Sequence, residues 1–188
     1  MGLSSRDVTI VPVMAVIAAI CHVAIGPTIN MSFHIPGPTL AGPVIMAPIM
    51  IAGAVTQKRG TLLLTSAING LILSFFVPIS FLAFPIFIAV GLVLELFCVK
   101  SFGRLFSLSY SFLAGGVSNA VAVLLIATLG MGMLMREGTR SMGTGMGMQA
   151  SVLLASVAAV GFIAGGVGGL IASVIMVRLR HMYPPKTQ

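Results

Sequence analysis

Long apolar runs separated by short polar or basic segments make up most of this chain. The stretches 105–135 and 141–177 contain no charged residue, and each is longer than the roughly 20 residues that an α-helix needs to cross a bilayer. Shorter apolar stretches precede them. The pattern predicts an all-α fold, a single domain over residues 1–188 with six transmembrane helices near 8–25, 39–56, 61–79, 81–99, 108–133 and 149–177.

Composition agrees with a membrane protein. Of the 188 residues, 58% are hydrophobic and 7% are charged, which is too little charge to cover the surface of a soluble domain of this length. The net charge of +7 comes from basic residues that are scattered singly or in pairs, so no nucleic-acid partner is predicted. Cys21 and Cys98 lie in apolar stretches, and no disulfide framework is indicated.

The distribution of basic residues predicts the orientation. If the N-terminus is cytoplasmic, eight basic residues lie inside and two lie outside, and such an excess is typical of cytoplasmic segments. Both termini are therefore predicted to be cytoplasmic, with 26–38 and 135–148 as two long outward loops. The inside set is Arg6, Lys58, Arg59, Lys100, Arg104, Arg178, Arg180 and Lys186, and the outside set is Arg136 and Arg140.

Small residues recur four positions apart in two of the predicted helices. Ala15 and Ala19 lie in "VMAVIAAI", and "VGFIAGGVGGL" carries Gly161, Gly165 and Gly169. Such strips let two helix backbones approach closely in lipid. For the glycine strip we expect packing inside the bundle.

The length, the six helices, the long outward first loop and "VMAVIAAI" resemble the S components of energy-coupling-factor (ECF) vitamin transporters. The segment "TQKRGTLLLTSAINGLI" (56–72) is also similar to thiamine-precursor members of that family. The resemblance implies a substrate-binding subunit in the cell membrane of a prokaryote, which binds a vitamin or related small molecule from outside. It also implies that Ala15 and Ala19 dock onto a membrane coupling protein (the T component), which two cytoplasmic ATPases drive.

The residues themselves favour a carrier over an enzyme. The sequence has no Walker loop, no His-Glu-x-x-His pair and no Gly-x-Ser-x-Gly elbow, so ATP would be hydrolysed by the partner subunits and no cofactor is predicted in this chain. His22 and His34 are predicted near the outer face and His181 inside, which argues against a three-histidine metal site.

Several polar residues are candidates for an outward substrate pocket. For the asparagines, the alternative is a hydrogen bond between helices. For His34, Arg136 and Glu137, it is an ordinary solvated loop. Cys21 and His22 are interpreted as packing residues. The substrate-binding candidates are Asn30, His34, Asn69, Ser118, Asn119, Arg136 and Glu137, with Arg140 beside them.

Glu95 is an acidic residue inside an apolar run, "VGLVLELFCVK". It lies four residues before the end of the fourth predicted helix, about 6 Å inside the cytoplasmic edge at 1.5 Å per residue. One interpretation is an ion pair near the interface with Lys58, Arg59, Lys100 or Arg104. The other is a role in the substrate cavity or in coupling, since intramembrane acids are often functional.

Two further functions stay open at this stage. The first is uptake of copper or a metal chelate, because thioethers bind Cu(I) and methionines are dense around the last outward loop. The second is a structural membrane subunit that binds no solute. The methionines of this region are Met131, Met133, Met135, Met142, Met146 and Met148.

Overall fold

The computed structural model describes residues 4–33, 41–76, 82–98, 102–138 and 146–179, and within these ranges it contains helices and no strand. This confirms the all-α prediction and the number of α-helices. A short 3-10 helix, Phe102–Phe106, precedes the fifth α-helix. In chain order the α-helices are α1 Ser5–Phe33, α2 Gly42–Thr56, α3 Thr61–Phe76, α4 Ala83–Cys98, α5 Leu108–Gly138 and α6 Met146–Leu179.

Three of the helices are long and three are short. α1, α5 and α6 contain the segments Ser5–Ile25, Leu108–Leu129 and Leu154–Leu179, each long and apolar enough to cross a membrane. α2, α3 and α4 are also apolar but have only 15, 16 and 16 residues. At 1.5 Å per residue they reach about 23 Å, less than a hydrocarbon core of about 30 Å. The three long helices are typical of a membrane protein, whereas six complete spans stay a prediction.

The structure corrects the expected ends of the long helices. α1 continues to Phe33, so the first part of the loop expected at 26–38 is helical and Asn30 lies in a helix. α5 continues to Gly138 and α6 begins at Met146, which places Arg136 and Glu137 in a helix as well. Gly26 and Pro27 lie inside α1, and Gly130 and Gly132 lie inside α5. An apolar surrounding offers no water to replace helical hydrogen bonds, which favours continuation through such residues.

Successive helices run in alternating directions. α1, α3 and α5 begin at the end of the bundle where α2, α4 and α6 finish, and we call this the amino-terminal end. Four side-chain contacts establish it: Lys58 with Asp7, Glu95 with Leu62, Tyr110 with the Phe97 carbonyl, and Ser173 with the Phe106 carbonyl.

α2 is the central helix of the core. It packs against α1, α3, α5 and α6, and 12 of its 15 residues are buried. Its sequence is apolar on every side, as expected of a helix that neighbours surround completely. Ile45, Ile49 and Met50 are among the largest side chains that are fully buried.

α5 and α6 approach each other most closely, through the glycine strip. A methyl group on Gly165 would overlap the Gly115 carbonyl oxygen, and one on Gly169 would overlap the Ser111 carbonyl oxygen. A Cβ on Gly161 would lie 2.9 Å from Cγ2 of Val123. Backbones can come this close only where side chains are absent. The expectation that Gly161, Gly165 and Gly169 pack inside the bundle is confirmed.

Candidate functional site

A clamp at the amino-terminal end joins α1 to the turn between α2 and α3. Asp7 Oδ2 accepts hydrogen bonds from the N–H and hydroxyl of Ser4, at 2.8 and 2.7 Å. The same oxygen lies 2.5 Å from Nζ of Lys58. The pairing of Ser4 with Asp7 caps the first turn of α1, and the Lys58 contact fixes that turn against the segment 57–60.

Glu95 approaches the same turn from α4. Its Oε1 accepts a hydrogen bond from the N–H of Leu62 at 2.9 Å, and the N–H groups of Leu63 and Gly60 are also directed at the carboxylate. The positive charge of Arg59 adds attraction. Glu95 therefore caps the N-terminus of α3 from a neighbouring helix, where unpaired N–H groups and the helix dipole favour a negative charge.

This arrangement refines the interpretation of Glu95. The residue lies near an end of the bundle, as expected, and Arg59 is close to it. Lys58, one of the expected partners, pairs with Asp7 instead. Sequence reasoning missed that backbone N–H groups donate to Glu95, because a cap between residues 33 positions apart leaves no local signal.

The described basic residues of the inside set meet at the amino-terminal end. Lys58 and Arg59 belong to the turn before α3, and Arg104 lies over the ring of Tyr110 near the start of α5, 5.7 Å from its centroid. Arg6 is in the first turn of α1 and Arg178 in the last turn of α6. The grouping agrees with the predicted topology.

The most polar buried surface of the bundle lies on α3. Thr61, Thr65, Ser66 and Asn69 are each fully buried, at 0% exposure. The Thr65 hydroxyl donates to the Thr61 carbonyl at 2.7 Å, as a threonine in an apolar helix commonly does. Within the described part of the chain, the hydroxyls of Thr61 and Ser66 have no hydrogen-bond partner. We call these four residues the α3 polar stripe.

Asn69 has two side-chain polar atoms that need hydrogen bonds, whereas each other residue of the α3 polar stripe has one. Neither Oδ1 nor Nδ2 has a hydrogen-bond partner among the residues that the structure describes. A buried amide without partners costs roughly 1–3 kcal/mol by protein mutational data, so native proteins supply one from protein, water or ligand. Asn69 was predicted as a substrate contact, and this stays a prediction.

His22, on α1, carries another buried polar atom of this kind. It is half-buried, and its ring meets Phe87 of α4 edge to face with 6.4 Å between centroids. Its Nδ1 is buried without a partner in the described ranges. Phe87 also packs against α3, because a Cβ on Gly70 would lie 2.8 Å from the Phe87 Cβ. The packing role expected of His22 is present, but sequence reasoning did not identify its free nitrogen.

A groove of about 320 Å³ runs between α1 and α3, and its lining is apolar and does not include the four residues of the stripe. Val16, Ala19 and Ile20 line it from α1, and Ile72 and Phe76 line it from α3. Ile72 and Phe76 follow Asn69 by three and seven positions, so they continue its side of the helix toward the far end of the bundle. The volume is at the lower end of the range for small-molecule sites, which are mostly apolar with a few polar groups.

The two asparagine candidates differ in their surroundings. Asn119 donates from Nδ2 to the Gly161 carbonyl at 2.8 Å, and it packs against Gly42 and Gly165. Its side-chain amide therefore links α5 to α6, which agrees with the alternative interpretation of Asn119 as a hydrogen bond between helices. Ser118 beside it is fully buried, and its hydroxyl has no partner within the described ranges.

The proposed docking strip on α1 is inside the molecule. Ala15 and Ala19 are 0% and 2% exposed, while Val13 and Ile17 on the same helix are 48% and 41% exposed. α1 uses its small residues to pack against α2 and α3. Docking of another protein onto Ala15 would require α1 to separate from these helices.

The remaining candidates cannot be placed as side chains. His34, Arg140 and Met142 lie outside the described residues. For Asn30, Met131, Met133, Met135, Arg136, Glu137, Met146 and Met148, the structure describes only the helical backbone. Among the described residues, no three histidine, cysteine, aspartate or glutamate side chains form a group that could hold a metal ion.

No protein family, curated protein or solved structure matches this chain in sequence or fold comparisons. The site geometry and the physical chemistry of its residues therefore carry the functional argument.

Proposed function

We propose that this protein is the solute-binding membrane subunit of an ATP-driven importer of the ECF type. The observation that carries the proposal is the fully buried amide of Asn69 on the α3 polar stripe, which has no hydrogen-bond partner among the described residues. The same helix also lines an apolar groove of about 320 Å³, through Ile72 and Phe76. A protein that served only as a scaffold would gain stability from an apolar residue at this position.

The stripe is placed where a solute could be held between helices. Helix bundles build ligand sites from side chains on facing helices, and here α1 and α3 face each other across the groove. His22 Nδ1 on α1 and the Ser66 hydroxyl on α3 are further buried groups without a partner in the part of the chain that the structure describes. Each such group lowers the folding stability of the bundle. A role in solute binding would explain why the protein keeps several of them.

In the proposed assembly the energy comes from other subunits. The chain carries no nucleotide-binding motif, and its resemblance to S components supports a T component and two cytoplasmic ATPases as partners. Six helices would then cross the cell membrane of a prokaryote, with both termini cytoplasmic. The clustering of described basic residues at the amino-terminal end supports this orientation.

Native mass spectrometry of the protein released from detergent tests the proposal. A solute-binding subunit is expected to retain a co-purified small molecule whose mass appears as a second peak, and addition of that molecule should raise the melting temperature. A protein that carries no small molecule and shows no response to extracts of its own cells is a structural subunit instead.

A further inference from the structure

A second groove, of about 500 Å³, lies on the surface of α3 toward α4 and includes a basic residue. Arg59 and Gly60 line it at the turn before α3. It differs from the groove between α1 and α3, whose lining is apolar throughout, because it combines a positive charge with an apolar wall. We call it the α3–α4 groove, and its apolar wall consists of Leu63, Leu64, Ala67 and Ile88.

The charged part and the apolar part of this groove are both open to the surroundings of the bundle. Arg59 and Gly60 are exposed, and Leu64, one turn further along, is 40% exposed. A Cβ added to Gly60 would meet no atom within 4 Å apart from its own chain neighbours. The space beside Arg59 can therefore accommodate a headgroup-sized molecule.

The depth of the groove matches one leaflet of a bilayer. α3 begins and α4 finishes at the amino-terminal end, with Thr61 and Cys98 as their residues there. At 1.5 Å per residue, Ala67 lies about 9 Å and Ile88 about 15 Å from that end. Half of a hydrocarbon core of about 30 Å is the same distance. The apolar wall thus has the length of one leaflet, with Arg59 at its outer edge.

The charge balance at the amino-terminal end favours an anion. Among the described side chains there, Asp7 and Glu95 are acidic, Lys58 pairs with Asp7, and Arg59 attracts Glu95. The guanidinium has five N–H donors in a planar fork that matches a phosphate, so it can bind one while it attracts Glu95. The basic side chains outnumber the acidic ones, and they are Arg6, Lys58, Arg59, Arg104 and Arg178.

We propose that the α3–α4 groove binds one anionic phospholipid, whose phosphate contacts Arg59 beside Gly60 and whose acyl chain lies along the apolar wall. A soluble anion would leave the apolar wall unfilled. A zwitterionic lipid would bring a second positive charge close to Arg59. The inference needs only a bundle that lies in a membrane, and it is independent of the solute-binding proposal.

Native mass spectrometry of the intact purified protein tests the inference with three probes. Phosphatidylglycerol and phosphatidylcholine with identical acyl chains differ in headgroup charge, and glycerol 3-phosphate is an anionic headgroup without chains. We expect one phosphatidylglycerol to be retained at least fivefold more tightly than phosphatidylcholine, because one basic residue near a membrane surface favours an anionic lipid roughly fivefold. Glycerol 3-phosphate should not be retained.

Matched variants locate the bound lipid. Arg59→Gln should reduce the preference for phosphatidylglycerol to less than twofold. Arg178→Gln removes the same charge from an exposed position of the same end, outside the groove, and should keep the preference. Ala67→Phe fills the apolar wall and should weaken retention of both lipids. If Arg59→Gln does not fold, Arg59→Lys, which keeps the charge without the fork and should show an intermediate preference, decides together with Ala67→Phe.

Three results would overturn the inference. Equal retention of the two lipids by the wild type would mean that the groove accepts any acyl chain. Equal effects of Arg59→Gln and Arg178→Gln would assign the preference to the net charge of the surface instead of to this groove. Retention of glycerol 3-phosphate as tight as that of phosphatidylglycerol would indicate a site for small anions. None of these results bears on whether the protein binds a solute.

Discussion

Oε1 of Glu95 accepts a hydrogen bond from the Leu62 N–H at 2.9 Å, so a carboxylate of α4 caps the N-terminus of α3. Leu62 is fully buried. We expect Glu95→Leu to lower stability by roughly 1–3 kcal/mol, because it leaves a buried N–H unpaired. Thermal unfolding in detergent measures the loss.

Glu95→Gln is the matched control for the cap. Its amide oxygen can still accept from Leu62, while the favourable interaction of a negative charge with the helix dipole, roughly 0.3–1 kcal/mol, is lost. The expected order of melting temperatures is wild type, Glu95→Gln, Glu95→Leu. A Glu95→Leu protein as stable as the wild type would show that the carboxylate is not needed as a cap.

The packing of α5 against α6 predicts that alanine lowers stability by different amounts at two glycines of one strip. A methyl group on Gly165 meets the Gly115 carbonyl oxygen, which is backbone, whereas one on Gly161 meets a Val123 methyl 2.9 Å away. Side chains adjust more readily than backbone does. Gly165→Ala should cost roughly 1–3 kcal/mol through overpacking and Gly161→Ala clearly less, as unfolding in detergent will report. Equal losses would contradict the packing described for this pair of helices.

Because Ala15 and Ala19 are buried, we expect larger side chains at these positions to impair folding. The double variant Ala15→Leu/Ala19→Leu should destabilise the bundle by several kcal/mol, because larger side chains at two buried positions would push α1 away from α2 and α3. Val13→Leu/Ile17→Leu has the same spacing on the exposed face of α1 and should fold normally. If the alanine variant instead folds, binds solute and loses only its coupling protein, the strip is a docking surface after all.

The orientation can be measured by thiol labelling in intact cells. In a background that carries Cys21→Ala and Cys98→Ala, we expect His34→Cys and Met142→Cys to react with an impermeant reagent. Arg6→Cys, at the exposed start of α1, should not react because the basic amino-terminal end is predicted to face the cytoplasm. Labelling of Arg6→Cys alone would reverse the topology.

The sequence predicted the helices well because long apolar runs and isolated basic residues report directly on elements of this kind. It also predicted the internal packing of Gly161, Gly165 and Gly169, since a period of four residues identifies one side of a helix. The ends of α1 and α5 were wrong. Gly26-Pro27 ends many helices in water, but α1 continues beyond it to Phe33.

The site was harder to predict because it depends on contacts between distant residues. The sequence identifies Asn69 and Asn119 as polar residues in apolar helices, but it does not show that Asn119 bonds to Gly161 while Asn69 has no described partner. The cap made by Glu95 and the free nitrogen of His22 depend on packing between helices. A closer look at "TLLLTSAING" would have added Thr61, Thr65 and Ser66, whose spacing places them near Asn69.

The central claim is that Asn69 is kept in the core in order to bind a solute. Native mass spectrometry of the wild type, Asn69→Leu and Thr56→Val, purified side by side, tests it most directly. Thr56→Val is the control, because Thr56 lies on α2 outside the stripe and its hydroxyl donates to the Ala52 carbonyl of its own helix. The account predicts a bound small molecule in the wild type and in Thr56→Val, and none in Asn69→Leu, whose solute-free form should be at least as stable as that of the wild type because the buried amide is gone. The same small molecule retained at the same occupancy by a folded Asn69→Leu protein would contradict it.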